Sequence, residues 1–180
     1  MFKLFAKKYS NRERALFRFL RKNNLMDKLT DKELEEFIPF LHVRTYQYNE
    51  AIFFRNDPSQ ALYIILSGRV KISIDVAEQF EELLELAVGE SFGDNAILEH
   101  GFRSYNAICG SDTCEVYVIP QVNIMDIFVH HIEVKAKMMH GLARYYDRYL
   151  LNLSKSYRDT FGLFNLSNVY DITQRDILGE

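Results

Sequence analysis

Apolar residues follow three different spacings along the chain. Over the first 40 residues Phe17, Leu20, Leu25 and Leu29 mark helix, and "TDKELEEF" opens with Thr30 followed three residues later by Glu33. That pair predicts a capping box, with Leu34, Phe37 and Ile38 as the buried stripe behind it. Pro39 ends that helix or sits in its last turn. From Leu41 to Ile119 the period changes to two: "HVRTYQY", "AIFFR", "ALYIIL", "RVKISID", "ELLELA", "SYNAIC" and "CEVYVI" are short strands separated by turn signals such as "NDPS" and "SG". In "RVKISID", Val70, Ile72 and Ile74 alternate with Lys71, Ser73 and Asp75, so one face is buried. About seven or eight such strands predict a sandwich or jelly roll. "VAEQFE" at 76–81 is expected to be a mobile hairpin tip.

After Pro120 the helical pattern returns. Ile132, Met139, Tyr146 and Leu153 recur every seven residues, and Ala136, Ala143, Leu150 and Tyr157 follow four residues behind them. These are the two seam positions of a coiled coil, held for more than three heptads. Gly141 then falls on the outer face, where it costs about 1 kcal/mol of helix propensity and blocks nothing. A helix of about 25 residues spans nearly 40 Å at 1.5 Å per residue, longer than a small barrel covers. The excess predicts a parallel homodimer through this helix. The organisation expected is therefore an N-terminal helical segment (1–40), a jelly-roll domain (41–120), C-terminal helices including the dimerisation helix (121–157) and a tail (158–180).

Composition changes this picture little. The 180 residues are 48% hydrophobic and 26% charged, enough for an ordinary core, and the net charge of -3 gives no basic field for nucleic acid. Lys3, Lys7, Lys8, Arg12, Arg14, Arg18, Arg21 and Lys22 form a basic run, but apolar residues interleave it, as on the solvated face of an amphipathic helix. Cys109 and Cys114 flank the "GSDT" turn; a hairpin would bring them close, and two reduced core thiols are the expectation for a cytosolic chain. Two thiols alone cannot build a tetrahedral zinc site. "MFKLFAKKYS" lacks the apolar run of a signal peptide, and no stretch has the length of a membrane span, so a cytoplasmic location and no membrane partner are expected.

The chemistry concentrates in "VGESFGDNAILEHGFRSY", between two strands. A single helical turn, "DNAIL", follows Gly93, and such a turn offers free backbone N–H groups to an anion. Arg103, nine residues after Asp94, carries a planar fork suited to phosphate. Asp94 would repel a free phosphate yet accept a proton from the hydroxyl of an attached sugar. Phosphate and ribose hydroxyl side by side describe a nucleotide; the plainer alternative is a capped turn with a surface ion pair.

"SFGDNAILEHGFRS" resembles the phosphate-binding cassette of cyclic-nucleotide-binding domains, whose pattern is F-G-E-x-A-L, a short insert, then R and small residues. Phe92, Gly93, Ala96, Ile97 and Arg103 carry the match. "ALYIILSGRVKI", with Gly68 in its turn, resembles the strand–glycine turn–strand that precedes the cassette in that family. The order of helices, eight-stranded jelly roll, cassette and long helix is also similar, so the resemblance covers about residues 15 to 157. It implies a regulatory domain that binds cAMP or cGMP and signals through the dimer helix and tail. Arg103 would pair with the equatorial oxygen of the cyclic phosphate, the N–H groups of Asn95 and Ala96 would hold the other oxygen, and Gly93 would let the sugar approach. Asp94 stands where the family has Glu, the ligand of the ribose 2′-hydroxyl, and Ser104 would touch phosphate or base. Two positions depart from the pattern. Asp is roughly 1.5 Å shorter than Glu, so that contact lengthens or passes through water, and Tyr105 replaces a small residue, filling the pocket or forming its wall. Tyr145 and Tyr149 fall where the family's long helix covers the base, and would stack on a purine or pack beside the dimer seam.

Other classes fit less well. Catabolite-activator-type regulators append a helix-turn-helix, but only 23 residues follow Tyr157; "DITQRDILGE" resembles a first helix with no turn and no recognition helix behind it. A reader of the major groove needs both, so DNA is not an expected partner, and the chain is a truncated regulator or acts by protein contact. No P-loop and no G-x-S-x-G motif is present, and the histidines are scattered or, at His130 and His131, point about 100° apart on a helix, so no enzyme and no metal cofactor is expected. The remaining alternative is a ligand-free scaffold or interaction module of the same fold.

Overall fold

Two antiparallel sheets carry the strands that the period-two pattern predicts. The computed structural model describes residues 8–76, 79–98 and 101–162. Strands β1 (His42–Gln47), β8 (Thr113–Pro120), β3 (Ala61–Ser67) and β6 (Ser91–Phe92) form one sheet in that order. β2 (Ala51–Phe53), β7 (Asn106–Cys109), β4 (Val70–Val76) and β5 (Gln79–Leu86) form the other, and every pairing is antiparallel. This is an eight-stranded jelly roll. The order follows from burial: Ile65, Val70, Ile72, Phe92, Ala107 and Val116 line one apolar cluster between the sheets. β4 and β5 run further than expected, since Val76 pairs with Gln79, so most of the supposed hairpin tip is strand. Cys109 and Cys114 are buried free thiols; burial, with Cys109 beside it, pushes the Cys114 thiol up to about 12, so it stays protonated and unreactive.

The N-terminal segment folds as α1 (Asn11–Leu20) and α2 (Asp31–Glu35). The capping box on α2 forms as expected, with the Thr30 N–H donating to Glu33 Oε2 at 2.7 Å and the Glu33 N–H to Thr30 Oγ1 at 3.3 Å. Ser10 and Glu13 make a second box on α1. α2 is shorter than the sequence suggested, because Pro39 lies in a separate 3-10 turn, Ile38–Phe40. Lys3, Lys7 and the tail beyond 162 lie outside the described residues.

α3 (Gln121–His130) and α4 (Ile132–Phe161) complete the order. Residues up to Leu142 belong to one compact unit and those from Ala143 to another. Within the first, Val134, Met138 and Leu142 recur at helical spacing and bury the start of α4 in a second core with Phe17, Leu20, Leu25 and Met26. Lys137 Nζ donates to Glu33 Oε1 at 2.6 Å and ties α4 to α2. Burial raises the Glu33 carboxyl, but the bonds from Lys137 and from the N–H and hydroxyl of Thr30 outweigh it and hold the group below the ordinary carboxylate range.

Gly141 corrects an expectation. It does not sit on an open face: a Cβ there would lie 2.6 Å from the Asn24 carbonyl oxygen and 3.0 Å from Leu25 Cα. The heptad placed it outside because the helix has a second apolar stripe, facing its own domain at Val134, Met138 and Leu142, that the seven-residue count passed over. Met139, one of the seam positions, also packs against that core. The other seam residues stay outside: Ile132, Ala136, Ala143, Tyr146, Leu150, Leu153 and Tyr157 are all exposed.

Candidate functional site

The site is built where β6 ends. Phe92 is the last strand residue, and Gly93 turns the chain left-handed (φ 71°, ψ 29°) into a single 3-10 turn, Asp94–Ile97. A side chain would be strained at that φ, and a Cβ would also meet Arg103 Nη1 at 2.5 Å. Ala96 and Ile97 anchor the turn in the core. The returning segment is held by the loop after β2: Arg103 N–H donates to Asp57 O at 2.9 Å, Asn56 N–H to Arg103 O at 2.9 Å, and Ser59 N–H to Gly101 O at 3.0 Å. The "NDPS" turn is thus a pairing edge for the second half of the cassette.

These contacts aim Arg103 inward. Its side chain is only 3% exposed. Nη1 donates to Ser59 Oγ and to Gly93 O, each at 2.9 Å, and Nη2 donates to Ala61 O at 2.7 Å. The guanidinium lies over the Phe53 ring, 4.2 Å from its centroid, and 5.5 Å from that of Tyr63. Such cation–π contacts contribute up to about 2 kcal/mol when desolvated. Phe53, Tyr63, Phe92 and Tyr105 form a connected aromatic floor, with Tyr63 and Phe92 stacked at 4.9 Å. Among the described residues no carboxylate pairs with Arg103, and its Nε–H has no hydrogen-bond partner. Burial lowers its pKa, opposed by Tyr63, Tyr105 and Asp94 nearby. A buried cation without a paired anion is unusual, because desolvating a charge is costly unless it is compensated.

Tyr105 takes one of the two positions left open by the sequence: it fills the cradle. Its hydroxyl accepts the Gly93 N–H at 2.8 Å and donates to Asp94 Oδ1 at 3.3 Å. Phe92, Gly93, Asp94, Arg103 and Tyr105 are therefore brought together around the turn at the end of β6. Asn95, Ala96 and Ser104 are arranged differently. The Ala96 N–H closes the 3-10 turn on Gly93 O at 3.0 Å, while the Asn95 side chain donates outward to Ser104 Oγ at 3.5 Å, and Ser104 is exposed. Tyr145 and Tyr149 belong to the second unit. Sequence reasoning missed Ser59, Ala61, Phe53 and Tyr63; the inward alternation of "AIFFR" and "ALYIIL" was the available signal for the two aromatics.

Comparison with known proteins now decides the family. Residues 43–131 match the family model of the cyclic nucleotide-binding domain. Over those residues the chain carries a domain of that family. The cyclic AMP receptor protein of Thermus thermophilus is 32% identical over 90 residues, 49% of this chain and 42% of the relative. The cGMP-dependent protein kinase 2 of Homo sapiens is 24% identical over 152 residues, 83% of this chain and 19% of the kinase. The chain therefore spans less than half the length of these relatives. The crystal structure of Thermus thermophilus catabolite activator protein superposes with a TM-score of 0.61 at 27% identity, over 72% of this chain and 61% of that one. The cyclic nucleotide-binding domain so identified contains the jelly roll and the whole of the turn around Gly93, and no described helix is long and apolar enough to cross a membrane.

Proposed function

We propose that this domain is a cyclic nucleotide sensor whose cassette, Phe92 to Tyr105, binds cAMP or cGMP. One observation carries the proposal: the Arg103 guanidinium is buried, and its Nε–H has no hydrogen-bond partner among the described residues. Nε and Nη2 lie along the same edge of the guanidinium; among the described residues Nε–H has no hydrogen-bond partner, and Nη2 donates to Ala61 O. That edge is the fork a phosphate takes. Asp94, at the mouth of the turn, supplies the acceptor for a sugar hydroxyl. The relatives named for cAMP and cGMP support the ligand class.

Titration calorimetry of both nucleotides into the protein tests this, with thermal unfolding as a second readout. Ligand at 100 times its dissociation constant stabilises by about 2.7 kcal/mol. No heat and no shift at millimolar cAMP or cGMP would leave a second reading, a ligand-free interaction module. The acceptors already on Arg103 and the hydroxyl of Tyr105 in the cradle favour that one.

Output runs through a parallel homodimer of α4. Leu150 and Leu153, in the second unit, are 59% and 51% exposed on the seam. The double variant Leu150→Glu, Leu153→Glu should sediment as a folded monomer, since like charges would face each other in the seam. A parent that is monomeric at tens of micromolar overturns the dimer.

A further inference from the structure

We propose that Tyr105 is a built-in occupant of the nucleotide site, which a ligand must displace in order to bind; this rests on the sensor reading above. The phenol hydroxyl accepts from the Gly93 N–H at 2.8 Å and donates to Asp94 Oδ1 at 3.3 Å. A sugar hydroxyl bound here would do the same two things, accepting a hydrogen bond from the backbone N–H and donating one to the carboxylate. The chain therefore satisfies its own cradle with an internal copy of the ligand's hydrogen-bonding pattern.

Its placement follows from the bend before β7. Tyr105 immediately precedes β7 and stands two residues beyond Arg103, and the bend at 104–105 leaves Ser104 exposed while Arg103 is buried and Tyr105 half-buried. The ring rests on Phe53, with centroids 5.8 Å apart, and that same Phe53 ring carries the Arg103 guanidinium. Nucleotide entry thus requires three linked events: the hydroxyl leaves Asp94, the ring moves off Phe53, and the aromatic floor under Arg103 rearranges. A small residue at 105 would couple none of these. Tyr105 sets both the affinity and the element that moves, the entry to β7.

Tyr105→Phe removes the hydroxyl and keeps the ring. In the parent the ligand must break one bond to a backbone N–H and one to a carboxylate; in the variant neither exists. Calorimetric titration of cAMP and cGMP should show Tyr105→Phe binding about 30- to 10³-fold tighter than the parent, the scale of one neutral and one charged hydrogen bond. Tyr105→Ala serves as the second variant, and its unfolding transition confirms that the domain is folded. A parent that fails to bind beside a variant that does supports the same conclusion more strongly. Equal affinities of the parent and both variants overturn the Tyr105 proposal and leave the sensor standing. No binding by parent or variants at millimolar nucleotide overturns both, because removal of the occupant has then opened nothing.

Discussion

Arg103→Ala is expected to bind cyclic nucleotide 10²- to 10⁴-fold more weakly than the parent. The proposed phosphate contact consists of two charge-assisted hydrogen bonds in a desolvated setting, each contributing about 1.5–3 kcal/mol, and 1.4 kcal/mol is one decade. The same substitution also acts on the fold. It strips donors from Gly93 O, Ala61 O and Ser59 Oγ and removes the cation from the Phe53 ring. A loss of about 2–4 kcal/mol of stability follows, from buried carbonyls left unpaired. The two effects are separable, because affinity is read by titration of the folded variant and stability by denaturant unfolding without ligand. Arg103→Lys sharpens the separation. It keeps the positive charge and reaches one or two of the three acceptors, but it cannot present the fork, so it should recover more stability than affinity. A variant that is destabilised yet binds with the parent's affinity would make Arg103 a structural pin and overturn the cradle.

That double role was hidden in the sequence for a physical reason. The positions of Gly93 and Arg103 were legible, since a left-handed turn favours glycine and a phosphate fork calls for arginine. The eight strands were legible too, because burial of one face writes itself as alternation. What holds Arg103 within the protein was not, because two of its acceptors are backbone carbonyls, and any residue at 61 would supply one of them. Ser59 approaches through the pairing of the loop after β2 with residues 101–103, a contact that leaves no periodic trace, and Phe53 through the pairing of β2 with β7. Tyr105 was recognisable as a departure from the pattern, but whether it lined the pocket or filled it depended on where its hydroxyl found partners. α2 was read at its cap more surely than at its end: Thr30 marks a start by chemistry, whereas the helix stops at Glu35 and Pro39 falls in a separate 3-10 turn.

Gly141→Ala tests the one place where periodicity misled. On an open helix face the change should stabilise, because glycine costs about 1 kcal/mol relative to alanine. Here the new methyl would sit 2.6 Å from Asn24 O, 3.0 Å from Leu25 Cα and 3.4 Å from Asn24 C. All three atoms are backbone, so no side chain can swing aside. The turn they belong to is also fixed from behind: Asn23 is buried, its Oδ1 accepts the Leu25 N–H at 2.9 Å, and its Nδ2 donates to Gly89 O at 3.3 Å. Leu25 and Met26 are pinned in the core with Phe17 and Leu20. The methyl must therefore lift the start of α4 off that turn, away from the packing of Val134, Met138 and Leu142. Overpacking of this kind costs about 1–3 kcal/mol, against the gain in helix propensity. The net expectation is a destabilised domain, with a urea midpoint below the parent's and an unchanged slope. The open-face and packed-face accounts differ in sign, so a variant more stable than the parent would return Gly141 to the outer face and remove the close approach of α4 to the turn at Asn24.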